Sequence, residues 1–269
     1  VLFHELIGFR EADPVGRATS AAARAAAAVA TAGPAGRPAM DASVVAHAPY
    51  SVSPRLVQAI AALPGAAPRS IHLAESAEEV EFLQTGRGPM RELLEAIGAW
   101  TDEWRVPSTD PVDYVASTGY LRPGTLVVHA VHLADSALAR LREAGAIIVT
   151  CPRSNAWVGS IPPPVDRFYA AGLPVAVGTD SLASARTLSV WDELAELRRL
   201  APGVPARTLL ESATRRGAEA LGRAADFGAI APGRRAVFAV AAVQPDVTDV
   251  EECLVTGVEL SRVSRLDLV

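Results

Sequence analysis

The chain has 269 residues, half of them apolar and a fifth charged, with a formal net charge of −5. This composition supports a sizeable core, excludes a disordered or collagen-like chain, and offers no basic face for nucleic acid. All 25 basic residues are arginine, so a Walker A phosphate loop and lysine Schiff-base chemistry are excluded.

Short apolar runs alternate with longer helical stretches. The runs Val1–Gly8, Val44–Ala48, Ser70–Ala74, Thr125–His129, Ala146–Cys151 and Val175–Gly178 read as strands buried on both faces. Between them, Ala18–Thr31, Pro54–Leu63, Ser76–Phe82, Pro89–Ala99, Pro111–Thr118, Asp135–Ala144 and Pro163–Ala171 carry helical spacing. Pro54, Pro89 and Pro111 stand where a helix tolerates proline, and Gly145 and Gly172 where it ends. The β-α-β-α rhythm predicts a parallel sheet, open or closed into a barrel. After Asp180 the rhythm changes: Leu188–Leu200 and Pro205–Gly222 read as consecutive helices, with Trp191, Leu194, Leu197 and Leu200 on one apolar face. Beyond Gly228, Ala236–Val243 and Glu252–Val258 read as strand-like runs in a Gly/Pro-punctuated tail. Two cysteines, Cys151 and Cys253, make no disulfide framework, which places the chain in a reducing cytoplasm. No apolar run approaches membrane-spanning length, so no membrane partner is expected. The first residue is Val1 rather than Met, which points to a trimmed or fragmentary sequence.

His47, His72 and His129 each end a predicted strand, and Asp180 holds the same place after Val175–Gly178. In a β/α barrel that rim gathers the catalytic groups. Each histidine alone has a bland alternative, a hydrogen bond to a neighbouring loop. Imidazoles with a carboxylate suit a borderline ion, Zn²⁺ or Fe²⁺. Glu75, three residues after His72, can swing back over the site as a proton shuttle, or simply favour a helix N-terminus, as Glu78, Glu79 and Glu81 do. His132 reads as a loop residue and His4 as a core one.

The segments His47-Ala48-Pro49-Tyr50, His72-Leu73-Ala74-Glu75-Ser76, His129-Ala130-Val131-His132-Leu133, Cys151-Pro152-Arg153-Ser154-Asn155 and Gly178-Thr179-Asp180-Ser181 resemble successive strand-end motifs of the amidohydrolase superfamily. The resemblance is to its aminohydrolase branch of adenosine-type, methylthioadenosine/S-adenosylhomocysteine, aminofutalosine and chlorotriazine enzymes. It implies an α/β fold: a (β/α)8 metal-dependent hydrolase (TIM-like) barrel, incomplete at its N-terminus, with the C-terminal remnant of a small β-sandwich. Residues 1–228 would form barrel strands three to eight and their helices, and residues 229–269 the sandwich remnant. Val237 stands where the family usually has aspartate.

The resemblance further implies one divalent metal ion, zinc or alternatively iron, with His72 and Asp180 among its ligands. Glu75, His129 and Asp180 would be catalytic, and His47 and Arg153 would bind substrate. The H-x-H pair that supplies the family's remaining ligands does not occur in these 269 residues. The implied function is hydrolytic deamination of an aminated purine nucleoside or related heterocycle. An arginine in the Cys151–Asn155 motif resembles aminofutalosine deaminases, which favours 6-aminodeoxyfutalosine and its carboxylate. Alternatives are a chlorohydrolase, a methylthioadenosine/S-adenosylhomocysteine deaminase, or an inactive paralogue that only binds. A small-molecule substrate and a homo-oligomer complete the expectation.

Overall fold

The computed structural model describes residues 1–30 and 40–267. Thr31, at the end of the first predicted helix, lies outside the described residues. The chain divides into two compact units, Val1–Ala146 and Ile147–Val269.

In the first unit β1 (Leu2–Leu6) pairs in parallel with β2 (Ala42–Ala46), Leu2 opposite Ala42 and Leu6 opposite Ala46. β3 (Ser70–Leu73) pairs in parallel with β4 (Leu126–His129), Ser70 opposite Leu126 and Leu73 opposite His129. Parallel neighbours require crossovers, and helices supply them. α1 (Pro14–Ala30) follows β1, α2 (Pro54–Ala61) follows β2, and α6 (Asp135–Glu143) follows β4. α3 (Ala77–Thr85), α4 (Pro89–Ala96) and α5 (Pro111–Ser117) lie between β3 and β4. Prolines 54, 89 and 111 open their helices as the sequence predicts, and the side chains of Ser53, Ser76 and Asp110 cap α2, α3 and α5.

Between β2 and β3 a side chain does what a ladder step would. The fully buried Tyr120 donates its hydroxyl to Ser70 O (2.8 Å) and accepts from Ala46 N–H (3.0 Å). Just past it, His72 N–H donates to His47 O at 2.9 Å. The unit's aromatic core stacks Phe82 on Trp104 at 4.6 Å, with Phe9 and Trp100 alongside.

The second unit opens with β5 (Ile147–Thr150), parallel to β6 (Val175–Val177) with Ile148 opposite Val175. α7 (Pro152–Trp157) and α8 (Val165–Ala170) connect them. α9 (Val190–Leu200) buries Leu194 and Leu197 against Val165, Ala201, Leu209 and Val255, with Trp191 and Leu200 packed on the same cluster. The apolar face expected for Leu188–Leu200 is therefore the core-facing one.

Two expectations need correcting. Pro205–Gly222 is two helices, α10 (Ala206–Ala213) and α11 (Arg215–Ala220), because Thr214 leaves helical geometry at φ −122°, ψ −90°. Glu252–Val258 is not a strand. Asp249 accepts from Glu252 N–H and starts a helix, α12 (Val250–Val255). The partner of β7 (Val237–Ala241) is instead β8 (Val263–Asp267), antiparallel, with Val237 opposite Asp267. No helix among the described residues is long and apolar enough to cross a membrane.

Candidate active site

In the first unit three of the expected residues come together because neighbouring strands end together. His47 lies one residue past β2, His72 is the third residue of β3, and His129 is the last of β4. The His47 and His72 rings are 5.0 Å apart and those of His72 and His129 5.3 Å apart, nearly stacked. His129 is 1% exposed, and Glu75 Oε1 lies 3.5 Å from its Nε2. Tyr50 packs edge-on against His47 at 5.8 Å, and burial together with Glu79, Glu75 and Glu5 pushes its phenol up to about 12. His132 follows in the loop, its N–H bonded to Ala74 O at 2.9 Å, and burial lowers its pKa.

The backbone around these groups is unusual. Ala74, His129 and Ala130 all have left-handed φ, at 52°, 71° and 55°. Non-glycine residues pay for that conformation, and it persists only where the surroundings enforce it. At Ala74 the enforcing group is Glu79. Its completely buried carboxylate accepts from Ala74 N–H (2.9 Å) and Glu75 N–H (3.3 Å). Burial nevertheless outweighs these two bonds and raises the Glu79 pKa to about 8. In the sequence Glu79 reads as an ordinary helix-start acid. The signal was the Ser76-x-x-Glu79 capping pattern: Ser76 Oγ does accept from Glu79 N–H at 3.2 Å, but the carboxylate reaches past the cap to hold the Glu75 loop.

Glu5 likewise carries no signal in the sequence. It stands on β1 with its carboxylate 3.4 Å from His72 Nδ1. Glu5, His47 and His72 each offer one ligand-type atom within 4.8 Å of the others.

Asp180 and Arg153 belong to the second unit. Asp180 sits three residues past β6 on left-handed backbone (φ 58°). Its Oδ2 accepts from Ser154 Oγ (2.6 Å) and Ser184 Oγ (2.7 Å), and the two hydroxyl oxygens are 2.9 Å apart. Ser154 lies in the quoted Cys151–Asn155 motif and Ser184 four residues past Asp180, yet a lone serine carries no signal that it positions a carboxylate. Gly178 permits the approach: a Cβ there would meet Val149 Cγ1 at 3.1 Å and Cys151 Sγ at 3.2 Å.

Arg153 is the second residue of α7 and its side chain is 22% exposed. Its Nη1 donates to Thr187 Oγ1 at 3.1 Å and lies 3.2 Å from Asp192 Oδ2 and 3.6 Å from Glu193 Oε1. Its Nε and Nη2 make no hydrogen bond among the described residues. Glu193 is fully buried, and desolvation, partly offset by Arg153, raises its pKa to about 7.

Chemically, the first unit presents a carboxyl group next to a buried imidazole, and the second a carboxylate fixed by two hydroxyls. Comparison with known proteins puts these features in context. A profile of the amidohydrolase family matches residues 17–261. The chain is 36% identical over 207 residues to an aminodeoxyfutalosine deaminase of Deinococcus radiodurans, covering 71% of this chain and 48% of that protein. It is 40% identical over 137 residues to a 5-methylthioadenosine/S-adenosylhomocysteine deaminase of Halobacterium salinarum, covering 48% of this chain and 31% of that one. The chain thus spans half or less of these relatives' lengths. In fold it is similar to a zinc-bound adenosine deaminase of Xanthomonas campestris, with a TM-score of 0.75 at 22% identity over 97% of this chain and 57% of that chain.

Proposed function

The chain belongs to the amidohydrolase family, and from that premise we propose that it is a metal-dependent hydrolytic deaminase of an aminated purine nucleoside, 6-aminodeoxyfutalosine first. The observation that carries the reading is the Glu75–His129 pair, 3.5 Å apart at the ends of β3 and β4. Deamination of an aminated ring needs a group that delivers a proton to the ring nitrogen while water attacks the adjacent carbon. A glutamate that is not a metal ligand does this in zinc nucleobase deaminases of another fold.

In this assignment Glu75, 24% exposed, hands its proton to the ring nitrogen. His129 donates a hydrogen bond to the oxygen that develops on the attacked carbon, and its burial keeps competing water away. Asp180 takes the proton of the attacking water, its carboxylate fixed by Ser154 and Ser184. His47, with the Tyr50 ring packed edge-on against it, contacts the nucleoside. The family pattern assigns His72 and Asp180 to a divalent cation, zinc first, and imidazole with carboxylate is a donor chemistry that zinc accepts. Such a cation would activate the attacking water. The same reading keeps residues 1–228 as barrel and 229–269 as sandwich remnant, and a cytoplasmic location, which is supported in that neither Cys151 nor Cys253 is in a disulfide.

Arg153 decides between substrates. Its Nε/Nη2 edge is geometrically suited to a bidentate carboxylate, which favours 6-aminodeoxyfutalosine. The pairing of Nη1 with Asp192 and Glu193 already compensates its charge, and that favours the second reading, a methylthioadenosine deaminase. Ammonia release from the two nucleosides, by the unmodified chain and by Arg153→Ala supplied with zinc, tests the proposal. Loss of a charge-assisted contact should cost roughly 1.5–3 kcal/mol on the carboxylate-bearing nucleoside alone. Equal losses on both would make Arg153 structural, and absence of ammonia from both would overturn the deaminase reading.

A further inference from the structure

Two acids of the second unit converge on one end of Arg153. Glu193 and Asp192 stand in the first turn of α9, where negative charge is favoured and Ser189 Oγ accepts from Asp192 N–H at 3.2 Å. Glu193 Oε2 accepts from Arg153 N–H at 3.2 Å, and Glu193 Oε1 lies 3.6 Å from Arg153 Nη1. One carboxyl group thus holds both the main chain and the guanidinium tip of a single residue. Asp192 Oδ2 lies 3.2 Å from the same Nη1 and accepts from Thr187 Oγ1 at 2.7 Å. Thr187 Oγ1 in turn accepts from Arg153 Nη1 at 3.1 Å.

Packing alone does not call for a carboxyl group at this place. Glu193 is fully buried, and its Oε1 has no hydrogen-bond partner among the described residues. A polar group left so in a core is destabilising, and an apolar side chain of similar volume would pack there without that penalty. Desolvation raises its pKa to about 7, and the groups that oppose the rise are the N–H and the charge of Arg153. Its polar contacts therefore serve Arg153. A guanidinium is planar, so anchoring Nη1 and the main chain fixes the direction of the opposite Nε/Nη2 edge. That edge suits the two oxygens of a carboxylate. An unanchored arginine would have to be ordered when a ligand binds, and prior anchoring removes that loss of affinity.

We propose that Glu193 is a positioning residue for substrate selection: it meets no substrate, and it fixes the open edge of Arg153 for the substrate carboxylate. The inference rests on the proposed role of Arg153 and deepens it. An ionised Glu193 also offsets the charge of Arg153, and the two effects act on carboxylate affinity with opposite signs. Anchoring prevails because the contacts fall on Nη1 and leave Nε and Nη2 without a hydrogen bond among the described residues.

The test compares binding of 6-aminodeoxyfutalosine and methylthioadenosine to the full 269-residue chain. Equilibrium dialysis with a chelator present gives affinities without turnover, and steady-state kinetics with zinc gives kcat and KM. Glu193→Leu, which keeps the volume, should weaken binding of 6-aminodeoxyfutalosine roughly tenfold and leave methylthioadenosine unaffected. KM for the first nucleoside should rise in step, with little change in kcat. Glu193→Gln, which keeps an acceptor for Arg153 N–H, should lose less. Thr187→Val removes one contact to Nη1; it should show a smaller loss of the same selectivity and serves if the Glu193 variants fail to fold by circular dichroism. Equal weakening of both nucleosides, no change in either, or tighter binding of the carboxylate-bearing one would each overturn the proposal. Arg153→Ala separates this inference from the readings beneath it. If that variant does not discriminate between the nucleosides, the role of Arg153 falls and that of Glu193 with it. If the binding pattern holds but no ammonia is released, the deaminase reading falls and the role of Glu193 stands.

Discussion

Ala74 adopts φ 52° at a cost that an isolated loop would not sustain, and the Glu79 carboxylate on Ala74 and Glu75 N–H is what sustains it. In this account Glu79 is a positioning residue: it touches no reacting atom but sets where Glu75 points. Glu79→Ala should therefore lower kcat for deamination by at least about tenfold with little change in KM, the signature of a group misplaced in the transition state. Glu79→Gln, whose amide oxygen still accepts from Ala74 N–H, should recover most of that loss. Steady-state kinetics of the two variants checks the idea. A rise in KM with kcat intact would place Glu79 in substrate binding instead. Acids show why part of the site was illegible from sequence. His47, His72, His129 and Asp180 stood out because polar residues at the ends of apolar runs are conspicuous. Glu5 and Glu79 did not, because an isolated glutamate on a strand or in a first helical turn reads as solvated until its burial and partners are known.

Elements were legible where a short run is mostly apolar. The six runs read as parallel strands became β1 to β6, although only β4 is buried along its whole length and in β1 only Leu6 is buried. Where a short tertiary contact decides, pattern failed. Glu252-Cys253-Leu254-Val255 alternates like a strand, but the Asp249 cap and burial of Val255 in the α9–α10 cluster make it a helix. The break at Thr214 has no marker such as proline or glycine. Tyr120 shows how a side chain can stand in for the ladder between β2 and β3. Tyr120→Phe keeps the ring and orphans Ala46 N–H and Ser70 C=O, so it should cost about 1–3 kcal/mol in chemical denaturation. A change well below that range would mean that water replaces the hydroxyl. In the second unit, Leu197→Ala removes a fully buried side chain from the α9 cluster and should cost about 2–5 kcal/mol. Urea titration of both variants supplies the values.

At the scale of the whole molecule, both units hold a buried carboxyl group raised in pKa among the described residues. Burial lifts Glu79 to about 8 and Glu193 to about 7. Both groups bind a proton more tightly in the folded chain than in the unfolded one. Their contribution to stability is thus fully present below the unfolded value near about 4.5 and is lost as pH rises through about 7 to 8. The urea midpoint should fall across that interval, and Glu79→Gln should flatten the upper part of the decline. A midpoint that rises over the same interval would show that other groups dominate.

The proposed deamination turns on proton delivery by Glu75. Its most direct measurement is the rate of ammonia release by Glu75→Gln, compared with the unmodified zinc-supplied chain on the same nucleoside. Gln is isosteric and keeps the contact with His129 but cannot donate an acidic proton. Loss of general acid catalysis should lower kcat by about 10²–10⁴-fold, with the fold and cation binding intact. Ammonia release by Glu75→Gln at the unmodified rate would contradict it.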